Sequence, residues 1–134
     1  MALSSQAYSR DTTVMISIEE AFASADYQEK LDPNITFYFG EQPHPKIEKS
    51  LGNYTTNKKT NAFNKSDEGA CKWAILSGLI ALQERAAKEG GNAVVNVVSY
   101  YKRNTMKSET EIECHAGALM AGAALNGDVV KLSK

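Results

Sequence analysis

SDEGACKWAILSGLIALQERAAKEGGNAVVNVVSYY, residues 66–101, decides the architecture. Its first two thirds carry helix punctuation at both ends. Asn64 or Ser66 can cap the N-terminus, and Asp67 and Glu68 stand in the first turn, where the helix dipole favours acids. Lys88 stands in the last turn and Gly90-Gly91 ends the helix, so 66–89 is predicted helical. Trp73, Leu76, Ile80 and Ala87 share one stripe, which Ala74, Ile75, Leu79 and Leu82 widen. Trp73 is therefore expected to be mostly buried. An apolar face this broad exceeds what one sheet covers, which suggests either a homo-oligomer or packing by the N-terminal segment. Residues 92–101 follow as a strand with apolar side chains on both faces, the pattern of a central strand.

Working toward the C-terminus, Arg103-Asn104-Thr105 reads as a turn and 109–115 as a strand. Alternation places Thr110, Ile112 and Cys114 inward, with Glu109, Glu111 and Glu113 on the solvent face. Residues 116–125 are a run of small residues; Asn126-Gly127 is a turn signal, and 128–132 is a closing strand. Toward the N-terminus, Pro33 stops a helical segment that Ser17 caps, and Val14 to Ile18 lead into it as a short strand. Ile35 to Phe39 form a strand of β-branched and aromatic residues ending at Gly40. The result is an α+β fold: one long helix packed on an antiparallel sheet of 93–101, 109–115 and 128–132, with N-terminal additions. Residues 12–134 make a single domain, and 1–11 a disordered N-terminus or the remnant of a signal peptide, since Ser5-Gln6-Ala7 resembles a cleavage site.

Composition excludes several functions. A charged share of 23% with a net charge of -1 argues against a nucleic-acid binder and gives no reason to expect a polybasic membrane anchor. No apolar run reaches the roughly 18 residues that cross a bilayer. Gly52 to Thr60 resembles a phosphate loop, but Asn57 stands where the second glycine belongs and Lys59 where the hydroxyl residue belongs. No serine elbow is present, and Cys114 and His115, adjacent on a strand, point to opposite faces. The chain is thus not expected to be an enzyme, and no cofactor is implied. The polar stretch 44–65, read as a loop with one strand near 50–56, offers the candidate binding surface: His44, Lys46, Tyr54, Lys58 and Lys59. A metal site built on His44 and His115 with nearby carboxylates is the alternative. The two cysteines can be inert buried thiols, zinc ligands or a disulfide.

The segments FYFGEQPHP (37–45), TNKKTNA (56–62), GGNAVVNV (90–97) and ECHAGALMAG (113–122) resemble a family of small uncharacterised bacterial envelope proteins. Many of these carry a name borrowed from the ATPase component of the DNA-repair excinuclease ABC. That name implies an ATPase with zinc fingers, and this chain has the motifs of neither. The similarity runs from about Thr12 onward. A fainter similarity, an alanine-rich helix followed by Gly-x-Asn-Ala-Val-Val, is to the YbjQ-like fold, which includes the envelope lipoprotein RcsF. With no lipobox cysteine at the start, an RcsF-type lipid anchor is not expected. The resemblance implies a periplasmic, non-enzymatic binding or structural protein whose partner is an envelope protein or a small ligand. An oxidising compartment and an even cysteine count then favour a Cys71–Cys114 disulfide. A flat hairpin sheet opposes it, because it sets Cys114 near the wrong end of the helix.

Overall fold

The computed structural model describes residues 10–134. Of the stretch 1–11, expected to be disordered or signal-derived, residues 1–9 lie outside the described residues. Chain order is β1 (Thr12–Ser17), α1 (Ile18–Ala23), α2 (Ala25–Lys30), β2 (Thr36–Phe39), β3 (Ile47–Asn61), α3 (Asp67–Glu89), β4 (Ala93–Ser99), β5 (Glu111–Ala116) and β6 (Met120–Leu132), with a short 3-10 turn at Tyr101–Arg103. Helix punctuation works as the sequence predicts. The Ser17 and Ser66 hydroxyls accept from the Glu20 and Gly69 amides, and Gly90 ends α3 in the left-handed conformation. No described helix is long and apolar enough to cross a membrane.

The sheet is mixed rather than antiparallel, and it forks. β6 pairs along its whole length with β3 on one edge. Its other edge is shared: β4 pairs with the later half and β5 with Ala121 and Gly122. β5 passes the pairing on to β1, and β4 passes it to β2, which runs parallel to it. Two sequence expectations fail here. Asn126-Gly127 is no turn, because 120–132 is one continuous strand. Gly127 is needed for close approach instead: a Cβ there would meet Val94 Cγ1 at 2.6 Å. The polar stretch 44–65 is mostly not a loop but the 15-residue strand β3, exposed along most of its length because it pairs on one edge only.

The two-faced character of β4 has a local cause. Four residues of β4, Val95 to Val98, face three of β6, Asp128 to Asn126, so the strand bulges. Asn96 takes the bulge in the left-handed region, φ 53°, where asparagine is tolerated. The bulge turns Asn96 to solvent and sends Val97 inward beside Val94. Val95 and Ala93 pack on the outer face with Val130, Leu132 and Tyr38.

Helix α3 buries Cys71, Ala74, Ile75, Gly78, Leu79, Leu82 and Ala86. Gly78 sits close over Leu125 and Thr56, whose hydroxyl donates to the Gly78 carbonyl. The face that meets the sheet is therefore set by small residues, and Trp73, expected to be buried, is 38% exposed on the far side. The helix flank is covered from within the chain. The buried Tyr27 hydroxyl donates to the Lys72 carbonyl, and Gln83 accepts from the Asp32 amide and donates to the Lys30 carbonyl. Burial also pushes the Tyr27 phenol up, which keeps it a donor. The breadth of the apolar helix face thus needs no second subunit.

Cys71 and Cys114 form a disulfide, both residues fully buried and the Cα atoms 5.8 Å apart. The register objection assumed a β4–β5 hairpin. Instead both strands run antiparallel to β6, so β5 continues in the direction of β4 and brings Cys114 to the N-terminal end of α3. The cross-link closes 43 residues of sequence. Replacing both cysteines by alanine is expected to lower the unfolding free energy by about 4 kcal/mol in urea titration; a loss under about 1 kcal/mol would show that packing alone holds the helix there. Gly127→Ala is expected to cost about 1–3 kcal/mol by crowding Val94, read from the same titration.

Candidate functional site

Opposite the helix, β6 shows a floor of very small side chains, Gly122 and Ala124. Register places Lys59 and Asn57 of β3 beside them on one flank and His115 of β5 beside Gly122 on the other. The segment after β4 folds over this floor: the Tyr100 amide donates to the Ala124 carbonyl at 2.8 Å. The result is a groove of two adjoining concavities, about 390 and 380 Å³, which meet at Lys102. The first is lined by Arg10, Asp11, Lys59, Tyr101 and His115, and by 117–122 at its end. The second is lined by Thr55, Asn57, Tyr100 and Arg103.

Lys102 and Arg103 both hold left-handed backbone, φ 51° and 66°. Such geometry costs about 1–2 kcal/mol per residue for an L side chain, so the fold spends stability to place these two cations. Tyr101 stacks on the His115 ring, centroids 3.6 Å apart and planes within 11°, while Lys102 Nζ lies 5.6 Å from the Tyr101 centroid. His115 is held from both sides: Nδ1 faces Asp11 Oδ1 at 2.9 Å and Nε2 faces Glu113 Oε2 at 2.6 Å.

The charges do not balance within the groove. Arg10 is bidentate to Asp67, which raises the guanidinium and lowers the carboxyl, and Asp11 and Glu113 are engaged by His115. Lys59, Lys102 and Arg103 have no ion-pair partner among the described residues. Lys59, Lys102 and Arg103 outnumber the acids Asp11 and Glu113 around this floor, so an anion can be bound there by charge-assisted hydrogen bonds.

The sequence-predicted surface is dispersed. Lys59 alone of its five residues lines the groove. Lys58, next to it on the strand, projects to the helix side. Tyr54 also faces the helix, with the Arg85 guanidinium 4.7 Å over its ring. His44 and Lys46 lie at the far end of β3: His44 rests edge-on against Tyr38, and the Lys46 carbonyl accepts from Ser133. His115 sits beside Gly122, whereas Ile47, three residues after His44, sits beside Leu132. Ten residues of strand, roughly 33 Å, separate the two places. The structure therefore does not bring His44 and His115 to one metal. No group of three or more His, Cys, Asp or Glu residues is placed to hold a metal ion among the described residues. The two carboxylates on His115 take opposite ring nitrogens and do not converge.

Arg10, Tyr101, Lys102 and Arg103 are among the groove residues that sequence reasoning missed. The run Tyr100-Tyr101-Lys102-Arg103 at the end of a strand, aromatic then basic, is the signal that could have found three of them. No protein-family model matches the chain, and no curated protein is similar to it in sequence.

Because the side chains of this turn serve the groove and its backbone is strained, Arg103→Gly is expected to stabilise the fold by about 0.5–1 kcal/mol. A lowered urea midpoint would show instead that the Arg103 side chain holds the turn together.

Proposed function

We propose that this chain is a non-enzymatic binding protein of the periplasm that holds an anionic ligand in the groove over β6. One observation carries the reading: Lys59, Lys102 and Arg103 stand without acidic partners around one groove, two of them on backbone strained to put them there. Strain of this kind persists only where the surrounding structure enforces it, and it clusters at binding and catalytic sites. Binding rather than catalysis is favoured because the cysteines are tied in a buried disulfide and His115 is committed to two carboxylates and a stacked tyrosine. A nucleophile needs a free neighbouring base, and these groups do not provide one. The periplasm is favoured because a structural disulfide persists in an oxidising compartment and because of the resemblance to envelope proteins.

The test is titration with inorganic pyrophosphate, followed by amide chemical shifts. Shifts are expected at 59, 101–103 and 122–124, weakening as salt rises. The variant Lys59→Ala/Lys102→Ala/Arg103→Ala should lose about ten-fold or more in affinity, at about 0.5–1 kcal/mol per exposed cation, with an unfolding midpoint no lower than the parent's. Equal affinity in parent and variant, or shifts confined to other faces, would remove the groove from the function.

A further inference from the structure

The most exposed large apolar side chains of the described residues are gathered at one end of the groove. Phe63 is 59% exposed, Leu119 57% and Met120 48%, whereas Met15, Ile47 and Trp73 stay below 40%. The three belong to one tip. The Ala62 amide donates to the Leu119 carbonyl at 2.8 Å, and Asn61 is the β3 partner of Met120. Leu119 and Met120 also line the groove, in the same concavity as Lys59 and Lys102. From Ala116 to Gly127 the chain has no charged residue, so the hairpin end between β5 and β6 is apolar while the cations are set back behind it. The net charge of -1 for the whole chain conceals this local arrangement.

We propose that this end docks on the surface of an anionic lipid bilayer. Phe63, Leu119 and Met120 enter the interfacial layer, and Lys59, Lys102 and Arg103 meet the phosphates of the headgroups. The inference rests on the groove reading, since lipid phosphate is then the anion that the groove holds. An apolar tip with a cationic collar matches the two forces that hold peripheral proteins to membranes, burial of apolar area and attraction to anionic lipid. Side-chain chemistry favours lipid over a peptide strand as the occupant: Phe63, Leu119 and Met120 stand exposed together beside Lys59 and Lys102, a match for an apolar layer against an anionic one.

Co-sedimentation of the protein with vesicles tests this, using phosphatidylcholine alone and phosphatidylcholine mixed with an equal part of phosphatidylglycerol. Binding is expected to the mixed vesicles only, and to be released by high salt. Phe63→Ser, at a residue outside the groove lining, should weaken vesicle binding about ten-fold while leaving pyrophosphate binding intact. Lys59→Ala/Lys102→Ala/Arg103→Ala should weaken both about ten-fold or more. Equal binding to neutral vesicles, no binding to either, or full binding by the serine variant would overturn the proposal. Retained pyrophosphate binding without vesicle binding would sink the lipid reading and leave the groove reading standing; loss of both in the parent would sink both.

Discussion

A β-strand has two edges, and β6 serves three partners with them. β3 occupies one edge along its full length, so β4 and β5 must follow one another along the other. From that crowding the rest follows. β5 can pair with β6 only at Ala121 and Gly122 before it leaves to join β1, and the sheet splits into two wings. The chain between β4 and β5 cannot turn back as a hairpin, so it is carried across the outer face, where Tyr100 bonds to Ala124. The same geometry brings Cys114 to the second turn of α3. Small residues make it physically possible: alanines and glycines at 121–124 let a helix approach one face and a turn the other.

Punctuation was legible, and pairing was not. Ser17, Ser66, Pro33 and Gly90 mark boundaries through local backbone chemistry, so a sequence displays them directly. The run 116–125 has the low intrinsic strand preference of alanine and glycine, and tertiary pairing overrides it. Asn126-Gly127 carries a strong hairpin signal, but Gly127 answers to the bulge at Asn96 on the neighbouring strand, a partner invisible to any local window. The bulk of Trp73 suggested a buried anchor. The sheet instead accepted the flank of α3 centred on Gly78, with Ile75, Leu79 and Leu82 around it, because Gly78 permits a close approach.

The groove was harder to see because long-range pairing assembles it from four separated stretches of chain. Lys59 was named for its charge and His115 as a potential ligand, and register alone puts them on either side of Gly122. His44 and His115 looked like a pair only because they are the chain's two histidines. Lys102 and Arg103 owe their positions to left-handed backbone that a composition-based reading does not anticipate. Averaging charge over the whole chain also erased the local excess, since Lys59, Lys102 and Arg103 gather on one face.

β6 is also the last strand of the sheet in chain order, although it lies at its centre. A growing chain can form α3 early, since its hydrogen bonds are local, but neither β3 nor β4 has its principal neighbour until 120–132 arrive. Contacts so distant in sequence close slowly. The two wings have no spine to join before that moment, so sheet assembly waits for β6. A chain built in this order remains threadable until that strand arrives.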